Sequence, residues 1–185
     1  DITLLPAQCI DGYILKVANT AASDADDYYV KFESEGGIPG QGSWEECVKP
    51  GIPTDLNADT MPHVLERKDD GNFELRPLKE EYDDENFWQG REVGDTKSNP
   101  KPTFVGKTIR GAVFYMNRLG FMSSDTIVMS QAGDYFNFFY GSALAISDSD
   151  PIDMAASSTK PATLKSAIGT PAGLLLFAEN SQFPE

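Results

Sequence analysis

Apolar residues in this chain recur at every second position or in short runs. The sustained three-to-four spacing of an amphipathic helix is hard to find. The clearest alternation is "DYYVKFES". Tyr28, Val30 and Phe32 share one side and Tyr29, Lys31 and Glu33 the other, which predicts a strand with one buried face. Upstream, "DGYILKVAN" reads as a strand after a turn at Asp11-Gly12. "SEGGIPGQGSW" reads as a turn-rich loop, and "WEECVKPG" as a short strand ended by Pro50-Gly51. "MPHVLERK" and "GNFELRPL" flank Asp69-Asp70-Gly71-Asn72, a pairing that predicts a hairpin. From Thr103 the rhythm is strand, turn, strand. "TIRGAVFYM" is apolar on both faces from Ala112 to Met116, which predicts burial between layers. Asn117 and Arg118 form the expected turn, and "LGFMS", "TIVMS" and "YFNFF" follow as short extended segments. "ALAIS", "PIDMAAS", "ATLKSAI" and "GLLLFAE" carry the same spacing onward.

These elements predict a mainly β chain with little helix: an antiparallel β module followed by a β-propeller-like meander of one to two blades. The boundaries read as a small antiparallel module over 1–78, a charged connector loop over 79–102, and the meander over 103–185. Phe87 and Trp88 are the apolar exception within the connector, and exposed apolar pairs are costly unless used, so they are expected to anchor into the body. "GLLLFAEN" reads as a strand, a turn and the start of a second strand left uncompleted. That pattern is expected of an excised piece of a longer protein.

Composition changes this picture in two ways. The 16 glycines and 12 prolines are spread along the chain, as expected for many turns. The formal charge of −14, from 29 acidic against 15 basic residues, argues against tight phosphate binding and against anionic membranes. It suits a wall past which DNA slides without being gripped. No apolar run reaches the ~18 residues that a membrane helix needs.

Candidate chemistry is thin. Cys9 and Cys47 fall in neighbouring expected strands, where both a disulfide and two buried thiols are open readings. They match no zinc spacing with His63, the one histidine, which is expected to be an ordinary packing or surface residue. No nucleophile elbow, phosphate loop, dinucleotide loop or zinc-protease motif is present. Acidic groups cluster at Asp24/Asp26/Asp27, Glu80/Glu81, Asp83/Asp84/Glu85 and Asp148/Asp150/Asp153. A glycosidase needs two carboxylates set at the right separation by the fold. "SDSDPID" lacks the glycine and distal glutamate of an EF-hand loop, so its aspartates are expected to cap backbone amides. Arg118 has no nucleophile or base beside it in sequence and is expected to brace its turn. No catalytic, cofactor-binding or metal-binding residue is assigned. Two alternatives remain: a carbohydrate hydrolase using two of these acids, and a glycan-binding module stacking sugars on Trp44, Trp88 and nearby tyrosines.

One ordered series of motifs is more specific. It runs through Gly94-Asp95, Asn99-Pro100, Pro102–Gly106, Phe114–Phe121 ("FYMNRLGF"), Val128–Ser130, Tyr135–Phe138 and Asp148–Asp153. This series resembles the tail tubular B, or nozzle, proteins of short-tailed, T7-like bacteriophages. The segments "DGYILKVAN", "DDYYVKFES" and "TMPHVLER" resemble them more loosely, whereas "WEECVKPGIPTDLN" and the acidic run at 80–85 do not. The resemblance implies an internal part of a longer structural protein of the virion tail, assembled in the host cytoplasm, with a propeller-like central region. It further implies a homo-oligomeric ring of six below an adaptor, or gatekeeper, ring. DNA would pass through transiently, without specific binding, during genome retention and ejection. Neither a cofactor nor membrane insertion is implied.

Overall fold

The alternation at Tyr28 to Glu33 folds as expected: Tyr28, Val30 and Phe32 are all buried, and the intervening side chains are not. In the computed structural model, which describes residues 2–18, 27–83, 85–156, 163–179 and 182–184, nearly all regular structure is antiparallel strand. Two single 3-10 turns, Ile2–Leu4 and Glu35–Gly37, are the helical elements among the described residues. None of the sheets closes on itself. The chain divides into two units that interleave in sequence.

The first unit takes residues Asp1–Thr54, Arg91–Lys101 and Phe139–Asp150. Its sheet contains β1 (Gln8–Cys9), β2 (Ile14–Val17), β3 (Tyr28–Ser34) and β4 (Gly40–Cys47), in the order β1-β4-β3-β2. Val17, Tyr28 and Val30 form its core, with Leu5, Leu15, Trp44 and Ala143 packed against them. The stretch expected as a loop up to Trp44 turns into strand at Gly40. Gly42 is needed for pairing there: it lies opposite Ser34, and a Cβ on it would sit 2.8 Å from the tip of Phe32. The register also separates the two cysteines. Cys9 pairs with Gly40, seven residues along β4 from Cys47, or about 23 Å at strand spacing. A disulfide needs Cα atoms within about 7 Å, so both thiols are free.

The second unit takes Asp55–Gly90, Pro102–Phe138 and Pro151–Glu185. The Asp-Gly signal yields the expected hairpin of β5 (Val64–Arg67) and β6 (Phe73–Arg76), with Gly71 at φ 86°. A four-stranded sheet follows in the order β10-β9-β8-β7, from β7 (Gly111–Tyr115), β8 (Arg118–Ser123), β9 (Thr126–Met129) and β10 (Ile152–Ala155). A three-stranded sheet contains β11 (Leu164–Thr170), β12 (Gly173–Ala178) and β13 (Gln182–Pro184). The two sheets share one core of Met122, Ile127, Met129, Leu164, Leu174 and Leu176. Burying each such side chain is worth roughly 1.5–3 kcal/mol.

Three expectations are corrected. The segment predicted to lie between layers, Ala112 to Met116, belongs to the sheet's edge and the turn after it, and Phe114 is 60% and Met116 74% exposed. The doubly covered strands are β8 and β9: Met122, Ile127 and Met129 pack on the β11–β13 sheet, and Phe121, on the other face, packs on Trp88, Phe104 and Phe138. "YFNFF" is not a strand. Gln131 N donates to Asn137 O (2.9 Å), so the segment folds back on its own turn, and β10 takes the fourth place in the sheet. "ALAIS" is irregular as well. The start of a second strand expected after "GLLLFAEN" is present as the three-residue β13, paired with β12.

Trp88 is buried, as expected of an anchor. Its Nε1 donates to Pro62 O (3.2 Å), and its ring meets Phe121, Phe136 and Phe138. Phe104 closes the same aromatic cluster against Phe121 and Phe138.

Candidate functional site

In the second unit, the β7–β8 turn is made by Met116 and Asn117, at φ 46° and 60°, one residue earlier than the sequence suggested. These values fit a type I′ turn, whose backbone twist matches its strands and which needs positive φ at both central positions. Asparagine tolerates this and methionine does not do so readily. Arg118 is thus the first residue of β8. It is 7% exposed, and its Nη1 donates to Ser130 O (2.7 Å). Ser130 Oγ accepts from Leu119 N (3.0 Å) and donates to Gln131 O (3.0 Å). The turn itself is held from the far side. Gly133 N donates to Asn117 O (2.8 Å), and the Tyr135 hydroxyl donates to Asn117 Oδ1 (2.6 Å). Each of these side chains binds the backbone or the turn.

A second polar centre lies in the first unit. Asn99 is fully buried. Its Nδ2 donates to Val93 O and Tyr140 O (both 3.0 Å), and its Oδ1 accepts from Tyr140 N (3.0 Å). Arg91 is 3% exposed and donates through Nε to Asn99 O (2.6 Å) and through Nη1 to Pro53 O (3.1 Å). Its guanidinium lies over the Phe139 ring, 5.2 Å from the centroid. Burial pulls the Arg91 pKa below the usual arginine range, partly offset by Asp95. Burial alone would raise the Asp95 carboxyl. The Ser98 and Lys97 amides and the Ser98 hydroxyl outweigh it, and the net shift is downward. Gly94, at φ 75°, has no room for a side chain: a Cβ would stand 2.7 Å from Ser98 Oγ. Nearby, Glu46 accepts from Ser142 Oγ and Ala143 N (both 2.8 Å). Three separate stretches of chain are knotted here around one asparagine and one arginine. The motif series contained Asn99, but nothing in sequence singled out Arg91. An arginine in a charged connector looks solvated until the fold covers it.

The described members of the acidic clusters are dispersed, and several bind backbone amides. Asp24, Asp26 and Asp84 lie outside the described residues. Asp27 pairs with Lys16 (2.6 Å). Asp83 accepts from Glu85 N and Asn86 N and meets Arg76 (3.4 Å). Asp150 accepts from Ser147 N (2.7 Å), and Asp153 accepts from Thr103 N and Oγ1 (both 2.8 Å). Glu80 and Glu81 are exposed. His63 Nδ1 sits 2.9 Å from Met61 O. Among the described residues, no three acidic, histidine or cysteine side chains gather as a metal-holding group. Trp44 is half-buried: it packs against the Val17–Tyr28–Val30 core, makes a T-shaped pair with Phe32 and donates from Nε1 to Pro6 O (2.9 Å), while Trp88 is buried.

A mainly β chain whose buried polar side chains bind its own backbone has the character of a scaffold protein. Residues 1–184 match the family described as bacteriophage nozzle protein, and the chain belongs to that family. It is also 36% identical over 179 residues to "Tail tubular protein gp12" of Escherichia phage T7. That match covers 97% of this chain and 21% of the relative, so the chain spans about a fifth of the relative's length.

Proposed function

We propose that this chain is part of a structural protein of a phage tail, located in the virion, where it helps to form a DNA conduit for genome retention and ejection. Family membership over 1–184 carries the reading, and the polar centres at Asn99 and Arg118 support it because they hold shape. In this reading the protein is not an enzyme and takes no cofactor. Its parent assembles as a ring of six against an adaptor ring, and DNA passes without sequence recognition. The β7–β10 and β11–β13 sheets are two successive blades of a propeller-like region. The net charge of −14 gives the conduit a physical logic: an acidic lumen repels phosphate and lowers friction on moving DNA.

Electron microscopy of the intact tail tests this. A ring containing this chain is the expected result, and its absence would reject the proposal. A neutral or basic lumen would remove the electrostatic part alone. Release of reducing ends from host polysaccharide, lost on substituting Asp148 and Asp150, would overturn the non-catalytic part. No observation favours the hydrolase or glycan-binding alternatives.

A further inference from the structure

The β5–β6 hairpin presents an apolar face that nothing in its own unit covers. Leu65 and Leu75 lie directly opposite each other, and Arg67 lies opposite Phe73. Because side chains two apart share a face, these four residues form one stripe. Leu65 is 63%, Phe73 64% and Leu75 68% exposed. The opposite face is polar and internally satisfied: Arg76 pairs with Glu66 and Asp83, and Lys68 with Glu66 and Glu74. Three large apolar side chains on a two-stranded ribbon are an unstable surface unless a partner covers them.

The charge of the stripe constrains that partner. Its one charged member, Arg67, has no ion pair among the described residues, while the chain as a whole carries 29 acidic against 15 basic residues. A complementary surface must be apolar and acidic together. The same unit carries such a surface at Glu80, Glu81 and Tyr82. Both carboxylates are exposed, and Tyr82 is 56% exposed.

We propose that the β5–β6 stripe of one copy docks on the Glu80–Glu81–Tyr82 segment of a second copy. Leu65, Phe73 and Leu75 cover the Tyr82 ring, and Arg67 meets the glutamates. The two patches differ, so the contact is heterologous, the kind that closes into rings or runs into filaments. The inference rests on the homo-oligomeric reading above and assigns it a surface.

Sedimentation velocity of the full chain over a concentration series tests it. The wild-type coefficient is expected to rise with concentration. Leu75→Asp and Arg67→Glu each weaken self-association by roughly tenfold or more, and Arg67→Glu combined with Glu81→Arg regains part of the loss. Far-UV circular dichroism is expected to be unchanged, because both sites are exposed. A chain that stays monomeric throughout, association indifferent to Leu75→Asp, or a double variant no better than Arg67→Glu would overturn the assignment. Imaging of the tail separates the two levels. A ring in the tail beside any of these outcomes sinks only the hairpin contact, whereas no ring sinks the oligomeric reading itself.

Discussion

Asn99 shows how much one side chain can hold. Its amide satisfies Val93 O, Tyr140 O and Tyr140 N inside a fully buried site. Asn99→Ala leaves these groups without partners, and each costs about 1–3 kcal/mol. A loss of about 3 kcal/mol or more in urea unfolding is expected, and a loss below 1 kcal/mol would contradict the knot (~1 kcal/mol being the ordinary cost of a mutation). Asn99→Asp should be worse near neutral pH, because a carboxylate cannot donate to two carbonyls. Met116 offers the opposite case. It sits at φ 46° and is 74% exposed, so its left-handed backbone is strained with little burial in return. Met116→Gly is expected to raise stability by about 0.5–1 kcal/mol, read as a higher urea midpoint; a lower midpoint would show that the turn is not strained. Asp95 titrates below its ordinary value of 3.8. A depressed folded pKa contributes stability above the unfolded value, and that contribution is lost as pH falls through the folded one. NMR titration should place the Asp95 midpoint below 3.8, with Ser98 amide protection lost over the same range.

At the scale of elements, position within a sheet outweighs the local pattern. β7 and β9 are similarly apolar runs, but β7 is an edge strand with Phe114 exposed, while all four residues of β9 are buried. A run of apolar residues says that a segment extends, not which place in the sheet it takes. Ile127→Ala, at 1% exposure in β9, is expected to cost about 2–5 kcal/mol. Phe114→Ala on β7 should cost well under half as much, measured by the same unfolding curves. Equal costs would mean that the sheet order misplaces the core. Hairpins with a local signal were legible from sequence: Asp70-Gly71 marks β5–β6, and Asn117 marks β7–β8 to within one residue. "YFNFF" was not, because an aromatic run reads as extended but its backbone bonds to its own turn and to Gln89 rather than to a sheet strand.

At the scale of the molecule, net charge acts on stability in a way that no single contact reveals. Self-repulsion at −14 opposes compaction, and salt screens it over about 8 Å at physiological ionic strength. The melting temperature is therefore expected to rise from low salt to physiological salt. A fall would show that attractive surface pairs, such as those of Lys68 with Glu66 and Glu74, outweigh the repulsion.

The sequence by itself determined the β class, most strand positions and the family, because alternation, turn residues and ordered motifs are local properties of the chain. It also set the net charge of −14, and with it the expectation against strong phosphate binding. Only the tertiary structure decided which strands lie at edges, that Arg91 and Asn99 meet, that the two cysteines stand apart and that the hairpin stripe stays uncovered. Those facts depend on which distant segments come together. Burial and hydrogen-bond partners belong to the assembled fold, and no window along the chain contains them.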